Sequence, residues 1–411
     1  MIPLPLTEMP PGRLAAAPGA RQITGVEIDS RRVGPGDLFV AVGRGVEFLE
    51  DARARGAAAT LVPDDAFAAM AALGAAVRDR SSARVVGITG SMGKTGTKDI
   101  LAALCRPQAR TVAAEASFNN ELGVPLTLCR LEPDTEVCIV ELAMRGFGQI
   151  ADLCAIARPH LGVITNVGPV HLELVGDLDG VRRAKAELVD ALPPGGTAIV
   201  PEEFPVERED VRVVRVGLPE DAAVEDGRTI LGGVSFGFTA RHQAANAAAA
   251  LAALDALGLP RPARVEVPFS RWRGDELPLP GGGLLINDAY NANPVSMRAA
   301  LALLGERAGP RRRVAILGDM AELGAEGPRY HCEVGAVAAE LGVQALVAIG
   351  PLARGYVEGA EHVRVTRWAP TLEESLEIVR EVVEPGDCVL VKGSRAMGLE
   401  AVADALAGVA A

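Results

Sequence analysis

The chain has 411 residues, too many for one ordinary hydrophobic core, so two or three domains are expected. Its 41 basic and 53 acidic residues sum to −12, which argues against nucleic acid as its main partner. Only 3% of residues are aromatic, so the cores must be built from Ala, Val and Leu, and no uninterrupted apolar run reaches the roughly 18–20 residues of a membrane span. The opening Met1-Ile2-Pro3-Leu4-Pro5-Leu6 lacks the basic segment and long apolar stretch of a secretory signal. Six cysteines without a C-x-x-C pair disfavour a zinc ribbon and a disulfide framework, and fit a soluble cytoplasmic protein.

Residues 1–82 hold short strands around turn residues, as in Val26-Glu27-Ile28-Asp29-Ser30-Arg31 and Pro35-Gly36-Asp37-Leu38-Phe39-Val40, which predict a small α/β domain. From residue 83 the pattern changes. A short buried strand at 83–89 leads into a Gly-rich loop, a helix starts near Thr95, and 137–142 and 161–166 are further apolar strands separated by helical stretches. Strands alternating with helices imply a mostly parallel sheet covered on both faces. Residues 241–257 form an Ala-rich helix with Gly258 as its stop; Pro260, Pro262, Pro268 and the run Pro278-Leu279-Pro280-Gly281-Gly282-Gly283 mark a linker. A second alternating run follows, with strands at 284–288, 314–317, 346–349 and 388–391 and helices beginning near Pro294, Pro328, Pro351 and Thr371. The expected architecture is α/β in three domains: a small N-terminal domain (1–82), a central mononucleotide-binding parallel-sheet domain (83–275) and a Rossmann-like C-terminal domain (276–411).

Of the 41 basic residues only Lys94, Lys98, Lys185 and Lys392 are lysine. Lys is a compact charge that can lose its proton, whereas Arg is a permanently charged fork, so these positions are candidates for chemistry that a guanidinium cannot do. Lys94 lies in Gly87-Ile88-Thr89-Gly90-Ser91-Met92-Gly93-Lys94-Thr95-Gly96, between a strand and a helix. This reads as a phosphate loop, although Ile88 stands where the strict pattern has Gly. Backbone N–H groups and the helix N-terminus would cradle phosphate, Lys94 would neutralise it, and Thr95 would hold Mg²⁺. Lys98, one turn on, reads either as part of this site or as a solvated helix residue. Glu141 ends a buried strand, where a carboxylate faces the ligand crevice of a parallel sheet and suits Mg²⁺. His171 follows the post-strand loop Thr165-Asn166-Val167-Gly168-Pro169-Val170 and is a second candidate ligand. Lys185, alone, would pass for a surface lysine.

Together these segments resemble the Mur ligase family, the ATP-dependent amide-bond ligases of peptidoglycan precursor synthesis. The resemblance spans nearly the whole chain. It is carried by residues 87–95, by Phe118-Asn119-Asn120-Glu121-Leu122-Gly123-Val124-Pro125 and by Glu141-Leu142-Ala143-Met144-Arg145-Gly146. Asp288-Ala289-Tyr290-Asn291-Ala292-Asn293-Pro294, Leu317-Gly318-Asp319-Met320-Ala321-Glu322-Leu323-Gly324 and Val391-Lys392-Gly393-Ser394-Arg395 complete it. The Tyr-Asn-Ala-Asn-Pro and Gly-Asp-Met-x-Glu-Leu-Gly segments point to the branch that adds D-alanyl-D-alanine to UDP-N-acetylmuramoyl-tripeptide. The chain departs from the family pattern at residues 43–48, which lack an Asp-Gly-His stretch, at Asn287 and Ala289, and at Pro201-Glu202-Glu203.

The resemblance implies that Thr89, Gly90, Ser91, Gly93, Lys94, Thr95, Gly96, Asn246, Arg273, Asn291 and Asn293 meet ATP. It implies that Thr95, Glu141, His171 and a carbamylated Lys185 hold Mg²⁺, with Lys94, Lys185, His171 and Glu141 forming the catalytic set. Ser30, Arg31, Asn119, Asn120 and Asn166 would face the UDP-substrate, and Asp319, Lys392, Ser394 and Arg395 the D-Ala-D-Ala. A monomer with small-molecule partners is expected. The rival readings are a sibling ligase adding a single amino acid or acting on folate, a phosphate-loop kinase, and a nucleotide-binding scaffold without turnover.

Overall fold

The structure, a computed structural model, describes residues 1–408. It divides into two compact units: Met1–Asn166 with Arg182–Pro268, and Val167–Val181 with the chain from Phe269 onward.

The main sheet of the first unit has six strands, in the order Arg212–Val216, Thr197–Pro201, Leu161–Ile164, Arg84–Thr89, Val137–Glu141, Thr111–Ala113. Every neighbouring pair is parallel. Between their ends the central strands carry only apolar and small residues, because helices cover both faces and neither side of the strand meets water. Helices Lys94–Cys105 and Arg241–Ala256 lie against each other. A separate four-stranded sheet, ordered Gly12–Ala16, Ala59–Pro63, Asp37–Val40, Gly25–Glu27, makes the N-terminal α/β layer. Its helix Ala66–Asp79 is started by Asp65, whose carboxylate accepts from the Phe67 and Ala68 amides. That helix docks on Gly123–Leu128, with Gly74 placed where a Cβ would come 2.9 Å from Pro125 Cα. A small sheet of Ala223–Glu225, Arg228–Leu231, Val234–Phe236 and Arg264–Val265 completes the unit.

The second unit is built on six strands in the order Asp275–Leu279, Gly283–Asn287, Cys388–Lys392, Arg313–Gly318, Ala345–Ile349, Val365–Ala369. All pairs are parallel except the first. The linker expected around Pro278 is partly wrong: residues 275–279 are an antiparallel edge strand. Pro278 is tolerated there because an edge strand has one side with no ladder partner. The last strand, Cys388–Lys392, inserts between Gly283–Asn287 and Arg313–Gly318. From Arg313–Gly318 the chain proceeds outward through helix Gly327–Glu340 to Ala345–Ile349. From Cys388–Lys392 it turns the other way, its helix Glu400–Ala407 touching strands Gly283–Asn287 and Asp275–Leu279. Adjacent strands whose connections diverge create a crevice at their C-terminal ends, the usual ligand position in open α/β sheets.

Arg78 staples the helix of the N-terminal layer to the C-terminal end of helix Gln149–Ala157 in the first unit. It is buried, and its guanidinium donates to Ala157 O (2.9 Å), Ser81 O (3.0 Å) and Arg158 O (3.4 Å). Arg78→Met keeps the stem and strips the partners from these carbonyls. It should lower unfolding free energy by about 2–4 kcal/mol, read from the urea midpoint.

Candidate active site

The phosphate loop begins where strand Arg84–Thr89 ends. Gly90 (φ +151°) and Gly93 (φ +78°) take conformations that a side chain resists, and the space above them is occupied. A Cβ at Gly90 would lie 1.8 Å from Thr165 Oγ1, and one at Gly93 2.3 Å from Asn246 Oδ1. The loop is also clamped at its tip. Asn166 Oδ1 accepts from the Met92 amide (3.0 Å) and its Nδ2 donates to Met92 O (3.1 Å), while Thr165 Oγ1 donates to Met92 O (2.5 Å). Asn166 is thus engaged with the loop. Thr165 has the same duty, which its residue type alone does not reveal. The signal is a Thr-Asn pair directly after a buried strand.

Helix Lys94–Cys105 presents the charged groups. Lys94 Nζ donates to Gly90 O across the loop (2.7 Å). Thr95 Oγ1 donates to Glu141 Oε2 (2.8 Å), and Asn119 Nδ2 donates to Glu141 Oε1 (2.9 Å). Both Thr95 and Glu141 are buried, so a hydroxyl and a carboxylate meet at the mouth of the phosphate loop. Thr89 Oγ1 is buried beside them without a hydrogen-bond partner. Hard oxygens in contact at a phosphate cradle fit Mg²⁺, which keeps several waters and takes few protein ligands.

Lys185, on helix Leu178–Asp190, is buried, and its ammonium is held well below a lysine's usual value, first by desolvation and then by the like charge of Lys94. The surface reading is excluded. Lys98 is likewise buried, which corrects the solvated reading: its Nζ donates to Ala114 O and Ala116 O, each at 2.8 Å, and pairs with Asp99 at 3.0 Å. Lys98 thereby holds the loop 114–120, including Ala116 at φ +45°, that delivers Asn119 to Glu141. Asn246 is wedged over Gly93 and Gly96 and donates to Gln243 Oε1 (2.9 Å).

Ser30 is buried at the start of a single 3-10 turn, and exposed Arg31 is paired with Asp29, whose carboxyl it pulls down to about 2. The next residue ties this turn to the 114–120 loop, Arg32 to Glu115 at 3.0 Å. Asn120 has its side-chain oxygen turned onto the Gly123 amide (3.0 Å), opening helix Gly123–Leu128.

In the second unit, Lys392 Nζ lies 2.6 Å from Asp288 Oδ2 and donates to Asn291 O (2.8 Å). Asp288 directly follows its strand and Glu141 ends its own, so the same strand-end signal marks both acids. Asn293 caps helix Pro294–Ala308 by accepting from the Ser296 amide (2.9 Å), whereas Asn291 is exposed. Arg273 lies over the Tyr290 ring (4.1 Å) and Arg395 over Trp272 (5.0 Å). Asp319, Ser394 and Arg395 sit on the two loops flanking the crevice between strands Arg313–Gly318 and Cys388–Lys392. Ser394 N donates to Asp319 O (3.0 Å) and Ser394 Oγ accepts from Ala321 N (2.9 Å). His171, at φ +54°, belongs to the segment Val167–Val181, and its Nδ1 is 2.6 Å from Glu322 Oε2, an ion-pair distance without hydrogen-bond alignment.

A phosphate loop on a parallel sheet, an oxygen pair suited to Mg²⁺ and a buried lysine of weakened basicity define an ATP-using α/β enzyme. Comparison with known proteins narrows the class. Residues 88–254 match the Mur ligase middle domain and 276–395 the Mur ligase, glutamate ligase domain. The UDP-N-acetylmuramoyl-tripeptide--D-alanyl-D-alanine ligase of Mycobacterium tuberculosis is 35% identical, with 94% of this chain and 92% of the relative covered. Among solved structures, MurF from Acinetobacter baumannii superposes with a TM-score of 0.82 at 28% identity, covering 97% of this chain and 96% of that one. The MurF ligase from Thermotoga maritima in complex with ADP does so with a TM-score of 0.76 at 26% identity, covering 94% and 97%. The chain belongs to the Mur ligase family. It is an ATP-dependent ligase.

The cradle makes a direct prediction. Gly93→Ala forces a Cβ onto Asn246 at a φ that L-residues avoid, so ATP affinity should fall at least roughly tenfold. Calorimetric titration with a non-hydrolysable analogue measures it, with the urea midpoint as control for folding.

Proposed function

We propose that the chain joins D-alanyl-D-alanine to UDP-N-acetylmuramoyl-tripeptide, with ATP as the energy source. The observation that carries this is the Glu141 carboxylate shared by Thr95 and Asn119, which places the end of the phosphate loop and the 114–120 loop on one group. The identity of the relatives supports the choice of substrates, and residues of the Tyr-Asn-Ala-Asn-Pro and Gly-Asp-Met-x-Glu-Leu-Gly segments line the C-terminal sheet edge. The three-domain division at about 82 and 275, a cytoplasmic location and a monomeric state belong to the same proposal.

In this reading a carboxylate oxygen of the tripeptide attacks the γ-phosphorus, ADP departs, and an acyl phosphate forms. The amine of D-Ala-D-Ala attacks the carbonyl carbon, loses a proton, and phosphate leaves from the tetrahedral adduct. Lys94 and the amides at the start of helix Lys94–Cys105 offset charge on the transferring phosphoryl group. Thr95 and Glu141 would hold Mg²⁺, which when bound neutralises phosphate charge that would repel the incoming carboxylate. Gly90 and Gly93 let Thr165 and Asn246 close onto the loop, which holds its backbone N–H groups in one arrangement for phosphate oxygens. Asn166 and Thr165 keep the loop tip from collapsing. Asn119 and Lys98 fix the position of Glu141. Ser30 and Arg31 are assigned to the UDP end, Asn119 and Asn120 to the muramoyl-peptide, and Asn246 to the nucleotide.

Lys185 has a separate duty. Burial disfavours its charged form, and a neutral amine can add to CO₂: the nitrogen bonds to carbon, a proton leaves, and the side chain becomes a carbamate anion. Arginine has no comparable neutral state. The second unit's crevice at Asp319, Ser394 and Arg395, near Lys392, is assigned to D-Ala-D-Ala, because diverging strand connections open a cleft there.

ATP consumption measured with UDP-N-acetylmuramoyl-tripeptide, with and without D-Ala-D-Ala, tests the reaction. Phosphate should appear in step with amide product only when both acceptor and donor are present; a stable phosphorylated product would indicate a kinase instead. A panel of single amino acids should fail as acceptors. Lys185→Ala should lower kcat at least roughly hundredfold and be partly restored by added short carboxylates, which can stand in for the carbamate. Unaltered kcat in that variant would return Lys185 to a packing role.

A further inference from the structure

The loop 318–322, within the Gly-Asp-Met-x-Glu-Leu-Gly segment, leaves its strand at the crevice of the second unit. Its backbone is held at four successive residues. Gly318 O accepts from Tyr356 OH (2.9 Å), and Asp319 O accepts from Ser394 N (3.0 Å). Met320 N donates to His331 Nε2 (2.9 Å), and Ala321 N donates to Ser394 Oγ (2.9 Å). The Asp319 carboxylate is tied down as well, accepting from Ala353 N at 2.6 Å.

Among these holders His331 is fully buried, on helix Gly327–Glu340. Its Nε2 accepts from an amide and therefore carries no proton. Its Nδ1 then bears the hydrogen and donates to Gly327 O at 2.7 Å. The Tyr356 ring lies 4.7 Å away. A planar group with an acceptor on one edge and a donor on the other is what spans this gap, and each bond leaves a buried backbone group orphaned if lost.

We infer that His331 is a positioning residue for the acceptor site: its Nδ1–H tautomer fixes the backbone of 318–321, and with it Asp319 and the groups that meet the incoming amine. This rests on the assignment of the crevice to D-Ala-D-Ala. Burial lowers the proton affinity of His331, opposed in part by the Gly327 carbonyl and the Asp319 charge. The groups facing it are Asp319 from the loop and Tyr356 from helix Arg354–Gly359. A value lower in the folded than in the unfolded chain stabilises the fold above the ordinary histidine range, and that contribution is lost as pH falls through the folded value. Protonation would put a donor against the Met320 N–H.

The test compares full-length wild type, His331→Leu and His331→Gln. In the Leu variant the KM for D-Ala-D-Ala should rise roughly tenfold, and exchange of the Met320 amide should accelerate by about the same factor. Affinity for a non-hydrolysable ATP analogue should stay within about twofold. Gln, which offers an acceptor and a donor, should restore much of both effects. Faster exchange with an unchanged KM overturns the link to the acceptor and leaves the hold on the loop standing; unchanged exchange overturns the hold itself. Where the Leu variant fails to fold, long-range proton–nitrogen NMR of the wild-type histidines decides. A bare Nε2 on His331 supports the inference, and a protonated one overturns it.

Discussion

The Glu141 carboxylate is the point on which the first unit's site turns. Its strand places it at the C-terminal edge of the sheet, and its two oxygens take the Thr95 hydroxyl and the Asn119 amide. Thr95 is the second residue of the phosphate-loop helix, so the carboxylate fixes the helix start. Asn119 sits on the loop that Lys98, one helical turn later, grips through two carbonyls. The same helix therefore holds that loop twice, once through Glu141 and once directly. A shift of Glu141 would move the phosphate cradle and the 114–120 loop together, which is a physical reason for both to be read as one site.

The scarcity of lysine follows from the same demand for compact charge. Lys98, Lys185 and Lys392 are almost wholly buried. Lys98 has three oxygen groups within reach, at 2.8 to 3.0 Å, and Lys392 two, at 2.6 and 2.8 Å. An ammonium with three donors can be satisfied in such a small pocket; a guanidinium brings five donors and a wider plane, and would leave several unmet. Most arginines instead lie at the surface, where the fork pairs with carboxylates such as Arg44 with Glu47 and Arg261 with Asp255, and the buried Arg78 needs three carbonyls to satisfy it. Lys185 is the exception that proves informative. Desolvation first, and then the like charge of Lys94, both act against its charged form.

What was legible in the sequence was whatever rests on local pattern. Strands such as 84–89 and 137–141 stand out because double-sided burial makes them uniformly apolar, and the phosphate loop because glycine spacing and strand-to-helix context coincide. The strands Ala223–Glu225 and Arg228–Leu231 carry too little alternation to be seen, and Asp275–Leu279 is masked by its proline. Side-chain roles were less legible, because a buried hydrogen bond has no sequence signature. Lys98 looks like any helix lysine until the carbonyls of residues 114 and 116 come into view. Asn293 is a different case: Asn-Pro-Val-Ser is a capping box with Pro at the first helical position, and the local chemistry alone assigns it to the helix start.

The two units repeat one arrangement by different means. In each, an acid follows directly on, or ends, a parallel strand and is met by a donor from a neighbouring element: Glu141 by Thr95, Asp288 by Lys392. A parallel sheet exposes its strand ends on one edge, so groups placed there are fixed by the backbone ladder rather than by long loops. Precision then falls to the loops themselves, and each is clamped. The phosphate loop is held at Met92 by Asn166 and Thr165, and the 318–322 loop by Tyr356, Ser394 and His331. A reaction that must bring an energised carboxyl and an amine together gains most from groups whose positions are set before the substrates arrive, because any ordering left to the bound state subtracts from the rate. Clamping of this kind is expected wherever two substrates are delivered to one bond-forming step, and here it is built from side chains that the reaction itself does not consume.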